Sequence, residues 1–276
     1  MTPSLLLQLA RAAAIAVLLG FSMLPIFWIA MTSIRPDSEV LSGEVNLIPD
    51  LVTFEHFTSI MSGSGLEKYL FNSVITAVAT TAACLLLALP AAYALSRLRY
   101  PGRLADHVKL WVLSTRFVPP FAIAIPMFLM FRDLRLLDSL TGLVLAHTVF
   151  ALPFAMWILQ SGFDELSPEI EEAGLIDGCS RLGVFWHVAL PLMKPSILCA
   201  AIFTLFLSWN EFLFALLLTV SQARTVPLLV TQFLTDRSME WGNIAAVSLV
   251  ASLPVVLFLL FAQRYLVQGL TAGAVK

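Results

Sequence analysis

The sequence predicts an all-α membrane protein with six spanning helices, and three observations carry that prediction. Hydrophobic residues make up 59% of the 276-residue chain and charged residues only 12%, where a soluble domain carries about 25% charge. Mean hydropathy is +0.90. Apolar runs of about 20 residues, the length that crosses a hydrocarbon core as a helix, alternate with polar segments. The net charge of -2 comes with no basic stripe that would suit nucleic acid.

Taken in order, Arg11 precedes an uncharged run at 12–31. That run is longer than the roughly 7–15 apolar residues of a cleaved signal and lacks a small-x-small cleavage site, so it is expected to be an uncleaved first span. Residues 32–68 are polar and punctuated by Pro36, Pro49, Gly63 and Gly65. Span 2 is expected at 69–95, with Asn72-Ser73 near its start and a small-residue centre that favours close packing in lipid. A basic loop follows, with Arg97, Arg99, Arg103 and Lys109. Span 3 is expected at 110–131, interrupted by Pro119, Pro120 and Pro126. A turn with Arg132, Asp133, Arg135 and Asp138 leads to span 4 at 140–160. Span 5 is expected at 196–220. A loop with Arg224, Asp236, Arg237 and Glu240 then leads to span 6 at 244–262 and a short tail.

The polar stretch at 167–195 interrupts this pattern and reads as two short helices. Ser167 suits an N-cap and Pro168 the first helical position. Glu169, Glu171 and Glu172 sit at the positive end of the helix dipole. Gly178 suits a left-handed stop. Ser180 can cap the second helix, whose Leu182, Phe185, Trp186 and Ala189 recur at helical spacing and are expected to pack back on the spans. Pro191 and Pro195 mark its expected end. A charged, capped knob is a poor lipid-facing element. Ala173 and Gly174 form a small patch flanked by Glu172 and Asp177, which suits docking into a partner's groove; the plainer reading is a solvated amphipathic loop.

Six spans put both termini on one side. Arg97, Arg99, Arg103 and Lys109, gathered in one short loop, assign that loop, the termini and the knob to the cytoplasm by the positive-inside rule.

No enzyme constellation is present. The sequence has no Gly-x-x-x-x-Gly-Lys-Ser/Thr and no His-Glu-x-x-His. Cys84, Cys179 and Cys199 form no Cys-x-x-Cys, so neither a zinc site nor a disulfide framework is expected. The residues most costly to place in lipid are Arg116, His147 and the pair Asn210-Glu211. Arg116 either pairs near a membrane end or faces an aqueous path. Asn210 and Glu211 either line that path or bond between helices. Pro119 and Pro120 free backbone groups that only protein or a cavity can satisfy, so spans 3 and 5 are expected to line whatever path exists.

Glu172-Ala173-Gly174, then Gly178, then Val188-Ala189-Leu190-Pro191 resembles the Glu-Ala-Ala loop of ABC importer permeases. In that family the pattern is Glu-Ala-Ala, three residues, Gly, nine residues, Ile-x-Leu-Pro. The longer likeness is to the carbohydrate, maltose-permease-like branch. It rests on Asn72-Ser73, the run 91–98, Pro119-Pro120 with Ile125-Pro126, Ile176-Asp177-Gly178, Trp209-Asn210-Glu211-Phe212 and the tail 269–276. It covers nearly the whole chain and is weakest over 32–68. Gly174 stands where the family has a second Ala, and Val188 where it has Ile; Gly174 is expected to loosen its helix by about 1 kcal/mol relative to Ala.

The resemblance implies the type I (MetI-like) permease architecture. The expected division is an N-terminal span and extracytoplasmic segment at 1–66, a permease domain at 67–266 and a cytoplasmic tail at 267–276. It also implies a bacterial inner-membrane subunit that imports a sugar or sugar-like solute, with glycerol 3-phosphate or a polyol as the alternative cargo and a stand-alone carrier as the remote one. Its implied partners are a second permease subunit, two cytoplasmic ATPase subunits and an extracytoplasmic solute-binding protein. ATP would be bound by the ATPase subunits, with no cofactor on this chain. Glu172, Ala173, Gly174, Asp177 and Gly178 would couple to the ATPase, and Arg116, Pro119, Asn210 and Glu211 are the expected solute path.

Overall fold

A computed structural model describes residues 5–42, 46–98, 100, 101, 104–234 and 239–272. Arg99, Arg103, Asp236, Arg237 and the tail end at 273–276 lie outside the described residues. Among the described residues the regular structure is all helix, apart from one isolated bridge between Leu234 and Met239. Among the described residues, four helices are long and apolar enough to cross a membrane, and two bent helix pairs bring the number to six if each pair is one span. The chain divides into two compact units, residues 1–67 with 229–254 and residues 68–228 with 255–276.

In the first unit, α1 (Leu5–Ser33) is apolar and exposed around its circumference over residues 7–28, with Ser33 buried at its end. The short α2 (Asp37–Val40) and α3 (Glu55–Gly63) follow. The buried ring of His56 on α3 ties this segment together. Its Nε2 lies 2.9 Å from the Arg35 carbonyl oxygen and its Nδ1 lies 3.2 Å from Asn243 Oδ1, near the start of α14 (Trp241–Ala272). The unit takes α14 as far as Pro254.

Most of α4 (Leu66–Arg97) belongs to the second unit. Its Ala77, Cys84, Ala88 and Ala92 recur every turn or two and are fully buried, the small-residue face expected from the sequence. It packs on α7 (Leu140–Glu165), whose Leu143, His147, Ala151, Ala155, Leu159 and Phe163 make a continuous stripe at every fourth residue. Ser139 caps α7, accepting from the Gly142 N–H at 3.1 Å. The next long helix, α11 (Lys194–Trp209), runs antiparallel to α7: Gly162 abuts Ser196 at one end and His147 meets Ser208 at the other. A Cβ at Gly162 would lie 2.5 Å from Ser196 Oγ and 2.7 Å from Met193 Cε, so this close approach needs the missing side chain.

Two expected spans are not straight. Span 3 is α5 (Leu104–Ser114), a 3-10 turn at Thr115–Phe117, and α6 (Pro120–Asp133), bent by 92°. The break falls at Val118-Pro119, because a residue before proline is driven to extended ψ, here 121°. Pro120 occupies the first turn of α6, and Pro126 stays inside that helix without breaking it. Span 5 does not run continuously over 196–220. It stops at Trp209 and resumes as α12 (Leu213–Leu218). Here side chains take over backbone partners. Asn210 Nδ2 donates to the Phe206 carbonyl at 2.9 Å, and the Glu211 carboxylate accepts from the Phe214 and Ala215 N–H groups at 3.0 and 3.2 Å.

The knob between α7 and α11 is α8 (Pro168–Ile176), then α9 (Arg181–Val184), a π turn at Phe185–Ala189 and α10 (Leu190–Leu192). Gly178 holds φ at +91° between the two helices. Ser180 caps the second helix through the Gly183 N–H at 3.1 Å. Three expectations change. Ser167 makes no backbone cap, because its hydroxyl donates to the Glu169 carboxylate instead. Pro191 does not end the second helix; it continues to Leu192 and bends by 75° into α11. Its buried face is Val184, Phe185 and Ala189, while Leu182 and Trp186 are 72% and 61% exposed. The π turn shifts the phase of the helix, and α8 lies over Val184 and Val188, which rotates the buried stripe. After α12, α13 (Val226–Leu229) and a 3-10 turn at Val230–Phe233 lead toward α14.

Candidate functional site

The knob is held to α4 by one buried acid. Glu171 Oε1 accepts from Arg97 Nε at 2.7 Å and its Oε2 accepts from the Tyr93 hydroxyl at 2.8 Å. Arg97 Nη2 also donates to the Leu166 carbonyl at 2.7 Å, at the end of α7. The Tyr93 ring lies between Phe163 and Phe185, with centroids at 5.3 and 4.8 Å. One polar cluster with an aromatic backing thereby joins α4, α7, α8 and the second knob helix. Pairing is what makes a buried carboxylate and guanidinium tolerable.

The residues expected to couple to a partner divide around this anchor. Glu172, Ala173, Asp177 and Gly178 are exposed. Gly174 is buried, and a Cβ there would lie 3.3 Å from Val184 Cγ2 and 3.4 Å from Val188 Cγ2. The small patch of Ala173 and Gly174 is therefore split: Ala173 faces out, and Gly174 packs against the chain's own second helix. The Ser167 hydroxyl beside it holds the exposed Glu169 carboxyl below its usual range. The sequence places Glu171 only at the positive end of a helix dipole and gives no sign of Arg97 and Tyr93 as its partners.

The second feature is a cavity of about 680 Å³ within the second unit, walled by the α5–α6 bend, α7, and the α11–α12 break. Arg116, His147, Ser208 and Glu211 reach it. His147 is buried, with Nδ1 2.8 Å from Ser208 Oγ and Nε2 3.2 Å from Glu211 Oε2. The Arg116 guanidinium lies 4.4 Å from the Phe154 ring centroid, within cation–π range. Of the expected path residues, Arg116 and Glu211 line this cavity. Pro119 makes the bend beside it, and Asn210 caps α11 without lining it. Phe150 and Phe214 stack on its wall, with centroids at 4.4 Å.

A third cluster fixes the loop after α12. Asp138 holds φ at +51° and accepts from the N–H groups of Val220, Ser221, Gln222 and Ala223 at 2.9–3.2 Å. Burial alone would raise this carboxyl, but the four backbone donors outweigh it and hold it at about 2. From α4, Asn72 Nδ2 donates to the carbonyls of Gln222 and Arg224 at 2.8 and 2.9 Å, and Ser73 Oγ accepts from the Val226 N–H at 2.8 Å. Asn72-Ser73 drew notice only through resemblance; here the pair has a physical task. Among the described residues, no group of three His, Cys, Asp or Glu side chains gathers to ligate a metal.

Comparison with known proteins bears on these features. Residues 84–272 match the family described as binding-protein-dependent transport system inner membrane component. The trehalose transport system permease protein SugB of Mycobacterium tuberculosis is 37% identical, with 93% of each chain covered. The sulfoquinovosyl glycerol transport system permease protein SmoH of Agrobacterium fabrum is 33% identical, over 96% of this chain and 93% of that one. The trehalose/maltose transport system permease protein MalG of Thermococcus litoralis is 32% identical, over 92% of this chain and 91% of that one. In fold, the chain is similar to a crystal structure of a bacterial ABC transporter that imports the acidic polysaccharide alginate, with a TM-score of 0.79, 23% identity and 96% of this chain covered. With a helical fold and a family match across most of its length, the chain belongs to the inner-membrane components of binding-protein-dependent ABC transport systems.

Proposed function

We propose that the chain is one of two permease subunits of an ATP-driven importer that brings a sugar or sugar-like solute across a bacterial inner membrane. The observation that carries this reading is the knob. A short helix with exposed Glu172, Ala173 and Asp177 is fastened to α4 and α7 through the Glu171–Arg97–Tyr93 cluster, so a push on it is delivered to two long helices at once. The sequence has no nucleotide-binding loop, and ATP is bound and hydrolysed by two partner subunits docked under the knobs. This chain is not itself an enzyme. A binding protein delivers the solute on the opposite side, and α1, exposed on every face, is covered by lipid and the second permease. The termini and the knob are cytoplasmic.

Sugar cargo is supported by the relatives, several of which are named for trehalose, maltose or sulfoquinovosyl glycerol transport. The Phe150–Phe214 wall supports it too, since aromatic faces suit the apolar faces of a pyranose. Arg116 and Glu211 line the path, with Pro119 and Asn210 shaping its two helix breaks. The test is uptake of a labelled sugar panel into proteoliposomes holding the complete transporter. Uptake should require ATP, the ATPase subunits and the binding protein. ATP-independent uptake by this chain alone would identify a stand-alone carrier instead.

A further inference from the structure

The cavity's two opposite charges are not paired with each other. It presents two formally charged side chains, Glu211 and Arg116, together with His147. Glu211 is already committed: its carboxylate accepts the Phe214 and Ala215 N–H groups that open α12, and its Oε2 faces His147 Nε2 at 3.2 Å. Arg116 has no such partner. Its guanidinium lies 4.4 Å from the Phe154 ring centroid, and among the described residues no carboxylate lies within ion-pair distance of it.

Depth makes this unusual. Phe154, under the guanidinium, is near the middle of the 26-residue α7. At about 1.5 Å per residue it stands about 21 Å from one end of that helix and about 17 Å from the other. Neither distance can be bridged by one side chain snorkelling to the interface. A cation over the middle of a spanning helix, exposed to a chamber with mostly apolar walls, attracts a counter-ion, because the low dielectric that makes it costly strengthens any pairing.

We propose that the counter-ion is the cargo, so the transported sugar carries an oxyanion, a carboxylate, sulfonate or phosphate, that Arg116 engages at mid-path. This rests on the importer reading above and narrows its substrate class. The planar guanidinium offers paired N–H donors to such a group, while the Phe150–Phe214 wall is left for the sugar ring. A neutral sugar would leave the guanidinium with only its ring contact.

The test uses the complete transporter in proteoliposomes, with maltose and trehalose as neutral probes and glucuronate-containing disaccharide, glucose 6-phosphate and sulfoquinovose as anionic ones. The expected result is ATP-driven uptake of at least one anionic probe, reduced tenfold or more in Arg116→Gln and partly kept in Arg116→Lys, with the permease and ATPase subunits still assembled. ATP-driven uptake of neutral sugars alone, undiminished in Arg116→Gln, overturns the inference and leaves the importer reading standing. Loss of permease pairing in Arg116→Gln, with a neutral cargo, also overturns it and assigns the counter-ion to the second subunit. Anionic uptake that needs Arg116 but neither ATP nor the ATPase sinks the importer reading while supporting the role of Arg116.

Discussion

Glu171 and Glu172 are adjacent, and the helix sends them to different environments: the first is buried against Arg97 and Tyr93, the second is exposed. Removing Glu171 leaves Arg97, itself largely buried, beside an unpaired hydroxyl. Glu171→Ala should therefore cost about 3 kcal/mol, read as a fall in thermal stability of the purified chain. The double variant Arg97→Met with Glu171→Met should lose much less, because no buried charge is left alone. Equal losses in the two would show that the pair is not the anchor. Asp138 offers a pH-dependent counterpart. Its folded carboxyl is held at about 2, below the ordinary value of about 3.9. The unfolded chain thus binds the proton more readily, so this stabilisation is complete above about pH 4 and disappears as pH falls through about 2. Relative to Asp138→Asn, the native chain should keep a higher unfolding temperature at pH 5 and above. That advantage should vanish near pH 2; a gap that persists there would contradict the backbone-cap account.

Glycine decides the form of the knob at the scale of the element. Gly178 holds φ at +91° with open space around its missing Cβ. The penalty for a side chain is thus one of backbone strain rather than collision. Gly178→Val should cost about 1–2 kcal/mol and misdirect α8 relative to the second helix. ATPase co-purification and ATP-driven uptake should both fall, whereas normal values of both would remove Gly178 from the coupling machinery. Gly174→Ala should behave oppositely. The added methyl meets Val184 and Val188 at ordinary to slightly tight contact, and the helix gains about 1 kcal/mol of propensity. The knob's outline was legible in the sequence because proline, glycine and serine at helix ends act locally. Which glutamate turns inward was not legible, since that depends on where Arg97 and Tyr93 of α4 come to rest. The bend of span 3 was announced by Pro119-Pro120. The break in span 5 was hidden, because Asn210 and Glu211 can equally line a path or take over backbone hydrogen bonds. Nothing in their letters distinguishes the two, and Glu211 does both. His147 was visible as a costly polar residue, but its pairing with Ser208 and Glu211 required the antiparallel approach of α7 and α11.

Considered as a whole molecule, the importer reading assigns every polar feature to a side of the membrane, and the chain contains its own probe of that assignment. Cys84 and Cys199 are buried within α4 and α11, whereas Cys179 is exposed in the turn between the knob's two helices. A membrane-impermeant maleimide should therefore report on Cys179 alone. On the proposed topology the positive charge in the loop after α4 lies in the cytoplasm, and the knob is fastened to the same end of α4 through Arg97. Labelling should be strong in inside-out vesicles and absent in right-side-out ones, and Cys179→Ser should abolish it. Bound ATPase subunits should protect Cys179, because it sits one residue beyond Gly178 at the tip that the partner cleft would cover. Labelling from the outer face would reverse the topology and detach the knob from any cytoplasmic motor. Labelling from the inner face that ATPase leaves unchanged would keep the topology and move the docking surface elsewhere on the knob.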